Sequence, residues 1–125
     1  MNDEAEELGS RLVRYTADMV ALSGCMTSSQ AAKEVATGLL QAVMDVLPRY
    51  HSACEMVSNR AFSAEMRRCL RTFRDVRVWL RVIEMSGLLP RERIMGMQSE
   101  TDAMEATFSR IVNEIERHVV RAFSG

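Results

Sequence analysis

Apolar side chains recur along this chain at alternating steps of three and four residues, the spacing of one helix face. Between Glu4 and Ser23, the stripe is Leu8, Leu12, Tyr15, Met19 and Leu22, which the two-residue period of a strand cannot produce. An acidic start suits the positive end of a helix dipole, and Gly24 is placed to end the segment. Thr27-Ser28-Ser29-Gln30 then reads as a capping box, with the Thr27 hydroxyl and the Gln30 side chain each satisfying a backbone amide of the other. A second helix is predicted over about residues 28–57, with Ala32, Val35, Leu39, Val43, Val46, Tyr50, Ala53 and Val57 on one face. Pro48 sits inside that run. Its ring crowds the preceding turn and denies the Met44 carbonyl a partner, so a kink is expected near it.

Ser58-Asn59 offers a turn and N-cap before a third helix of about residues 60–85. The seam there is Phe62, Met66, Cys69, Phe73, Val76, Leu80 and Ile83, and Gly87 suits a left-handed C-cap. Leu88 and Leu89 are expected to fold over the bundle end, and Pro90 fits the first turn of the next helix. That fourth helix, about residues 91–122, repeats at Ile94, Met97, Thr101, Met104, Phe108, Ile111, Ile115, His118 and Ala122. Four apolar-faced helices with short connections predict an all-α chain. Residues 1–125 would form a single domain, an antiparallel up-down-up-down four-helix bundle.

Charge changes the picture on the third helix. The net charge is −1, but residues 60–93 hold nine arginines against four acids, while both flanking regions are acidic. At about 100° per residue, Arg60, Arg67, Arg71, Arg74, Arg77 and Arg81 fall within about a third of the helix circumference, away from the seam. Such a row suits phosphates spaced along a nucleic acid, or the carboxylates of the chain's own acidic parts. A net charge near zero favours the second use, because nucleic-acid binders are usually basic overall. Val78, Trp79 and Val82 lie outside the seam and give this helix more apolar surface than one bundle interior needs. That points to self-association.

Other chemistry is thin. His51, Cys54 and Glu55 could bring two ligands to one helix face, short of the three or four that zinc takes, so no metal is expected. Neither His51 nor His118 has an identifiable nucleophile, and the chain has no glycine-rich phosphate loop. No enzymatic activity, cofactor or small-molecule substrate is expected, and His118 reads as a half-buried polar residue at the bundle end. Three cysteines without CxxC spacing, an acidic N-terminus and no membrane-length apolar run suggest a reduced, cytoplasmic setting.

The segment Phe62-to-Pro90 resembles the four helix bundle protein family known from open reading frames in bacterial 23S ribosomal RNA intervening sequences. The likeness rests on Phe62, the charged run around Asp75, Arg77-Val78-Trp79-Leu80 and Ser86-Gly87-Leu88. It extends over roughly residues 11–120 through Leu39-Leu40, Tyr50, Ala53 and Ser58. Leu47-Pro48-Arg49, Ser52 and Ala61 depart from the family pattern, which puts any function of its second-helix motif in doubt here. The resemblance implies a left-handed four-helix bundle that assembles as a ring-like homopentamer without enzymatic activity. The accessory variability determinant proteins of diversity-generating retroelements look similar over the third helix, and they bind nucleic acid and a reverse transcriptase. The leading expectation is therefore an oligomeric scaffold whose arginines work partly between subunits, against acids such as Glu105, Glu114 or Glu116. The alternative is an RNA- or DNA-binding accessory protein using Arg67, Arg71, Arg74 and Arg81.

Overall fold

The computed structural model describes residues 3–124, with side chains described through Arg117. The described chain is all-α: α1 Asp3–Gly24, α2 Gln30–Met44, α3 Val46–Cys54, α4 Asn59–Ser86 and α5 Arg91–Ser124. Because α2 and α3 are separated by Asp45 alone, they act as two halves of one leg, and the helices make four legs.

Each leg buries the face its sequence marks. Leu8, Leu12, Tyr15, Met19 and Leu22 of α1 meet Leu39, Val43, Val46 and Tyr50, along with the whole α4 seam from Met66 to Ile83. On α5 the buried side chains are Ile94, Thr101, Met104, Phe108 and Val112, while Met97 and Ile111 are half-buried. At the centre, edge-to-face contacts join Tyr15 to Phe73 (5.9 Å) and Phe73 to Phe108 (5.1 Å), and Tyr50 tilts against Phe108 (5.8 Å). All four legs thus contribute a ring, the second through Tyr50 of α3, at separations where aromatic pairs add to burial.

Apart from the Ser23 hydroxyl, which has no partner among the described residues, the buried polar side chains of this core are paired. The Thr101 hydroxyl donates to the Met97 carbonyl at 2.8 Å, which leaves it to accept from the Tyr15 phenol at 2.7 Å. Burial pushes the Tyr15 and Tyr50 phenols well above their ordinary range. The Tyr50 hydroxyl donates to the Ala5 carbonyl at 2.7 Å, tying α3 to the start of α1.

Several boundaries differ from the sequence reading, each for a local reason. Met26 is buried, so Thr27 and Ser28 span the turn and Ser29, not Thr27, becomes the N-cap of α2. Its hydroxyl accepts from the Ala32 amide at 3.0 Å. Gly24 closes α1 without a left-handed conformation, and Gly87 is the only described residue with positive φ. The second leg breaks at Asp45, beside Met44 and within one turn of Pro48, where the kink was expected. Pro48 is the third residue of α3, where its missing N–H falls in a first turn that has no intrahelical acceptor.

That leg ends at Cys54, and Val57, expected on the buried face, is fully exposed. The chain must reverse between Glu55 and Ser58, because the Ser58 hydroxyl caps α4 by accepting from the Ala61 amide at 3.1 Å. At the far end of α4, Gly87 (φ 64°) and Leu88 donate to the Glu84 and Ile83 carbonyls, the Schellman pattern. Pro90 caps α5 through its carbonyl, which accepts from the Ile94 amide, instead of entering the first turn. His118 and Ala122 of the predicted seam lie outside the described side chains.

Candidate interaction surface

Three flanks of α4 are occupied: the seam faces the core, one edge lies on α2 and α3, and the other lies on α5. What remains is an outward face carrying the arginines and the surplus apolar groups.

On the α5 edge the arginines are paired within the chain. Arg67 holds Glu116 with two parallel hydrogen bonds, from Nε at 2.7 Å and Nη2 at 2.6 Å, and the Ser63 hydroxyl donates to the same carboxylate at 3.1 Å. These charge-assisted contacts, the Arg67 bond first, hold the Glu116 carboxyl below its ordinary value. Arg77 reaches both Asp102, at 2.8 Å, and Glu105. Arg74 comes no closer than 4.0 Å to Glu105. Two of the acids named as partners across subunits, Glu105 and Glu116, therefore meet α4 within one chain, while Glu114 joins Arg110 and Glu4 at the start of α1.

Arg60, Arg71 and Arg81 are exposed, and Arg71 and Arg81 make no hydrogen bond or ion pair among the described residues. The row is thus interrupted: adjacent carboxylates neutralise Arg67 and Arg77, and the open guanidinium groups of Arg71 and Arg81 stand apart from them.

The apolar candidates also divide. Trp79 is half-buried and packs into the chain's own core against α2. Its indole lies on Gly38 so closely that a methyl group at position 38 would come within 2.5–2.9 Å of three ring carbons. Val78 remains 62% exposed, Val82 38%, and Met85, seven residues beyond Val78, 79%. Those three make a continuous outward patch. Met85 went unnoticed in the sequence, although its seven-residue spacing from Val78 puts it on the same face. Between α2 and α4, beside Trp79, runs an open cleft of about 440 Å³ lined by Asp45, Thr72, Asp75 and Val78. Asp75 has no partner among the described residues, and Asp45 is shared with Arg49 at 3.1 Å.

Among the described residues no group of three or more His, Cys, Asp or Glu side chains could hold a metal ion. His51 is exposed and Cys54 half-buried, and the side chain of His118 lies outside the described set. The Cys69 thiol is buried and pushed up to about 12, chiefly by desolvation, which makes it inert as a nucleophile. No helix of the described chain is long and apolar enough to cross a membrane.

No protein-family model and no curated protein matches the chain. Among solved structures it is similar to a protein of unknown function from the S23 ribosomal protein family of Bacteroides thetaiotaomicron. The TM-score is 0.78 at 12% identity, covering 84% of this chain and 97% of that one. At that identity the likeness speaks for the fold: a helical domain of the same shape, matched over nearly its whole length.

Proposed function

We propose that this protein is a non-enzymatic four-helix bundle that assembles through α4 into a ring-like homopentamer and serves as an oligomeric scaffold or binding protein. The observation that carries the reading is the outward patch of Val78, Val82 and Met85, which the chain's own helices leave uncovered. Apolar side chains grouped in this way mark an interaction site more often than chance exposure. The bundle itself is read as up-down-up-down and left-handed. Contacts between distant residues support the antiparallel order: Ala5 with Tyr50, Val46 with Cys69, Glu84 with Gln98, and Glu4 with Arg110.

Kinship with the intervening-sequence family rests on the Arg77-to-Leu80 motif and on the fold shared with an S23-family protein. Three free cysteines favour a reducing, cytoplasmic setting. Light scattering on the purified chain tests the assembly directly. A pentamer at micromolar concentration is expected, and a monomer would overturn the reading.

A second reading is supported by Arg71 and Arg81, exposed cations with no acidic partner among the described residues. In it, α4 binds the phosphates of RNA or DNA, in company with a reverse transcriptase. Its test is a salt titration of RNA binding. The logarithm of affinity should fall with the logarithm of salt, and alanine at Arg67, Arg71, Arg74 and Arg81 should flatten the slope. Absence of binding at low salt removes it.

A further inference from the structure

We infer that the α2–α4 cleft is the acceptor half of the subunit contact, and that it receives the Arg81 guanidinium of a second copy of this chain. The inference rests on the oligomeric reading above and assigns its chemistry.

The two halves lie on opposite flanks of one helix. On the α2 side, the cleft presents the Asp75 carboxylate, which no described cation neutralises, with the Trp79 indole and the Asp45 carboxylate beside it. A carboxylate next to an aromatic ring suits a guanidinium better than an ammonium, because the planar fork can bind the acid and stack on the ring together. On the α5 side, Arg81 lies between the helical positions of Arg77 and Arg74, whose contacts with Glu105 fix that edge. Unlike Arg77, Arg81 finds no carboxylate on α5. At about 100° per residue, Asp75 and Arg81 are about 120° apart around the helix.

Donor and acceptor are therefore too far round α4 to satisfy each other within one chain. Val78, Val82 and Met85 occupy the strip between them and would be covered when the flanks of two copies meet. An acceptor on one flank and a donor on the other make a head-to-tail contact. Each added copy leaves the assembly with one free acceptor and one free donor, so the contact repeats until the ring closes.

Charge exchange on the full-length chain tests this, with circular dichroism confirming that each variant is helical. Light scattering across a dilution series should show that Asp75→Arg and Arg81→Asp each weaken assembly at least tenfold. The double variant Asp75→Arg/Arg81→Asp should restore it to within about threefold of the unaltered protein, because the pair is rebuilt with its signs exchanged. Single variants that assemble as well as the unaltered protein would overturn the assignment while leaving the oligomer intact. A double variant as weak as the singles would show that the two residues are not partners and would overturn it too. An unaltered protein that is monomeric throughout removes the oligomeric reading and this one together.

Discussion

Gly38 and Gly96 present the same substitution in opposite surroundings. Both are helical, so replacing either with alanine removes a flexible residue and should stabilise the helix by about 1 kcal/mol on propensity alone. At Gly96 nothing lies within 4 Å of the added methyl, and the propensity gain should appear nearly whole. At Gly38 the methyl would meet the six-membered ring of Trp79 at 2.5–2.9 Å, closer than carbon atoms tolerate. That ring is the broad body of a side chain packed against the core, so it cannot swing aside as a flexible terminus would. Forcing extra volume into such a site costs about 1–3 kcal/mol.

Less the propensity gain, Gly38→Ala should destabilise the protein by up to about 2 kcal/mol, while Gly96→Ala stabilises it by up to about 1 kcal/mol. For a chain of this size, 1 kcal/mol corresponds to a shift of about 4 °C in Tm. The two variants should thus move Tm in opposite directions in thermal unfolding. The Trp79 emission of Gly38→Ala should also shift to the red as the indole is displaced toward water. Equal stabilisation by both substitutions, with unchanged emission, would refute the packing of Trp79 on α2.

Other consequences follow from the core and from the ion pairs. Phe108→Ala removes a ring that touches both Phe73 and Tyr50 and should cost about 3–5 kcal/mol in urea unfolding. Tyr15→Phe deletes one buried hydrogen bond but leaves the Thr101 hydroxyl donating to Met97. A loss of about 1 kcal/mol is expected, well short of the cost of an orphaned donor. The depressed Glu116 carboxyl contributes stability above its ordinary value of 4.5 and loses it as pH falls below that value. The small advantage over Glu116→Gln should therefore be present at pH 7 and shrink as the solution is acidified below pH 4.5. In thiol labelling, exposed Cys25 should react first and Cys69 only on unfolding.

The core was legible because helical periodicity is written directly into the order of residues. Every position of the Met66-to-Ile83 seam is buried, and Gly87 takes the left-handed cap its place required. Boundaries were less legible where two local signals competed. Thr27 and Ser29 both suit an N-cap, and only the burial of Met26 decides between them. Pro48 was visible as a helix breaker acting on the Met44 carbonyl, and the break falls beside that residue, at Asp45, leaving the proline in a first turn.

The surface was legible as composition and not as pairing. The arginine stripe could be seen, yet nothing in the sequence says which leg lies beside it. The partners of Arg67 and Arg77 on α5 therefore emerged only with the fold. Trp79 was read as surplus apolar surface because a helix wheel cannot reveal that Gly38 on a neighbouring leg leaves room for an indole. That contact moves the exposed patch off the tryptophan and onto Val78, Val82 and Met85.

On the proposed reading, this outward face of α4 joins copies of the chain. Mass determination of the purified, full-length protein by light scattering at micromolar concentration tests it most directly. Five copies per particle are expected, with dissociation when Val78 and Met85 are both changed to lysine. A monomer at that concentration, or a particle whose mass is unaffected by those two lysines, would contradict it.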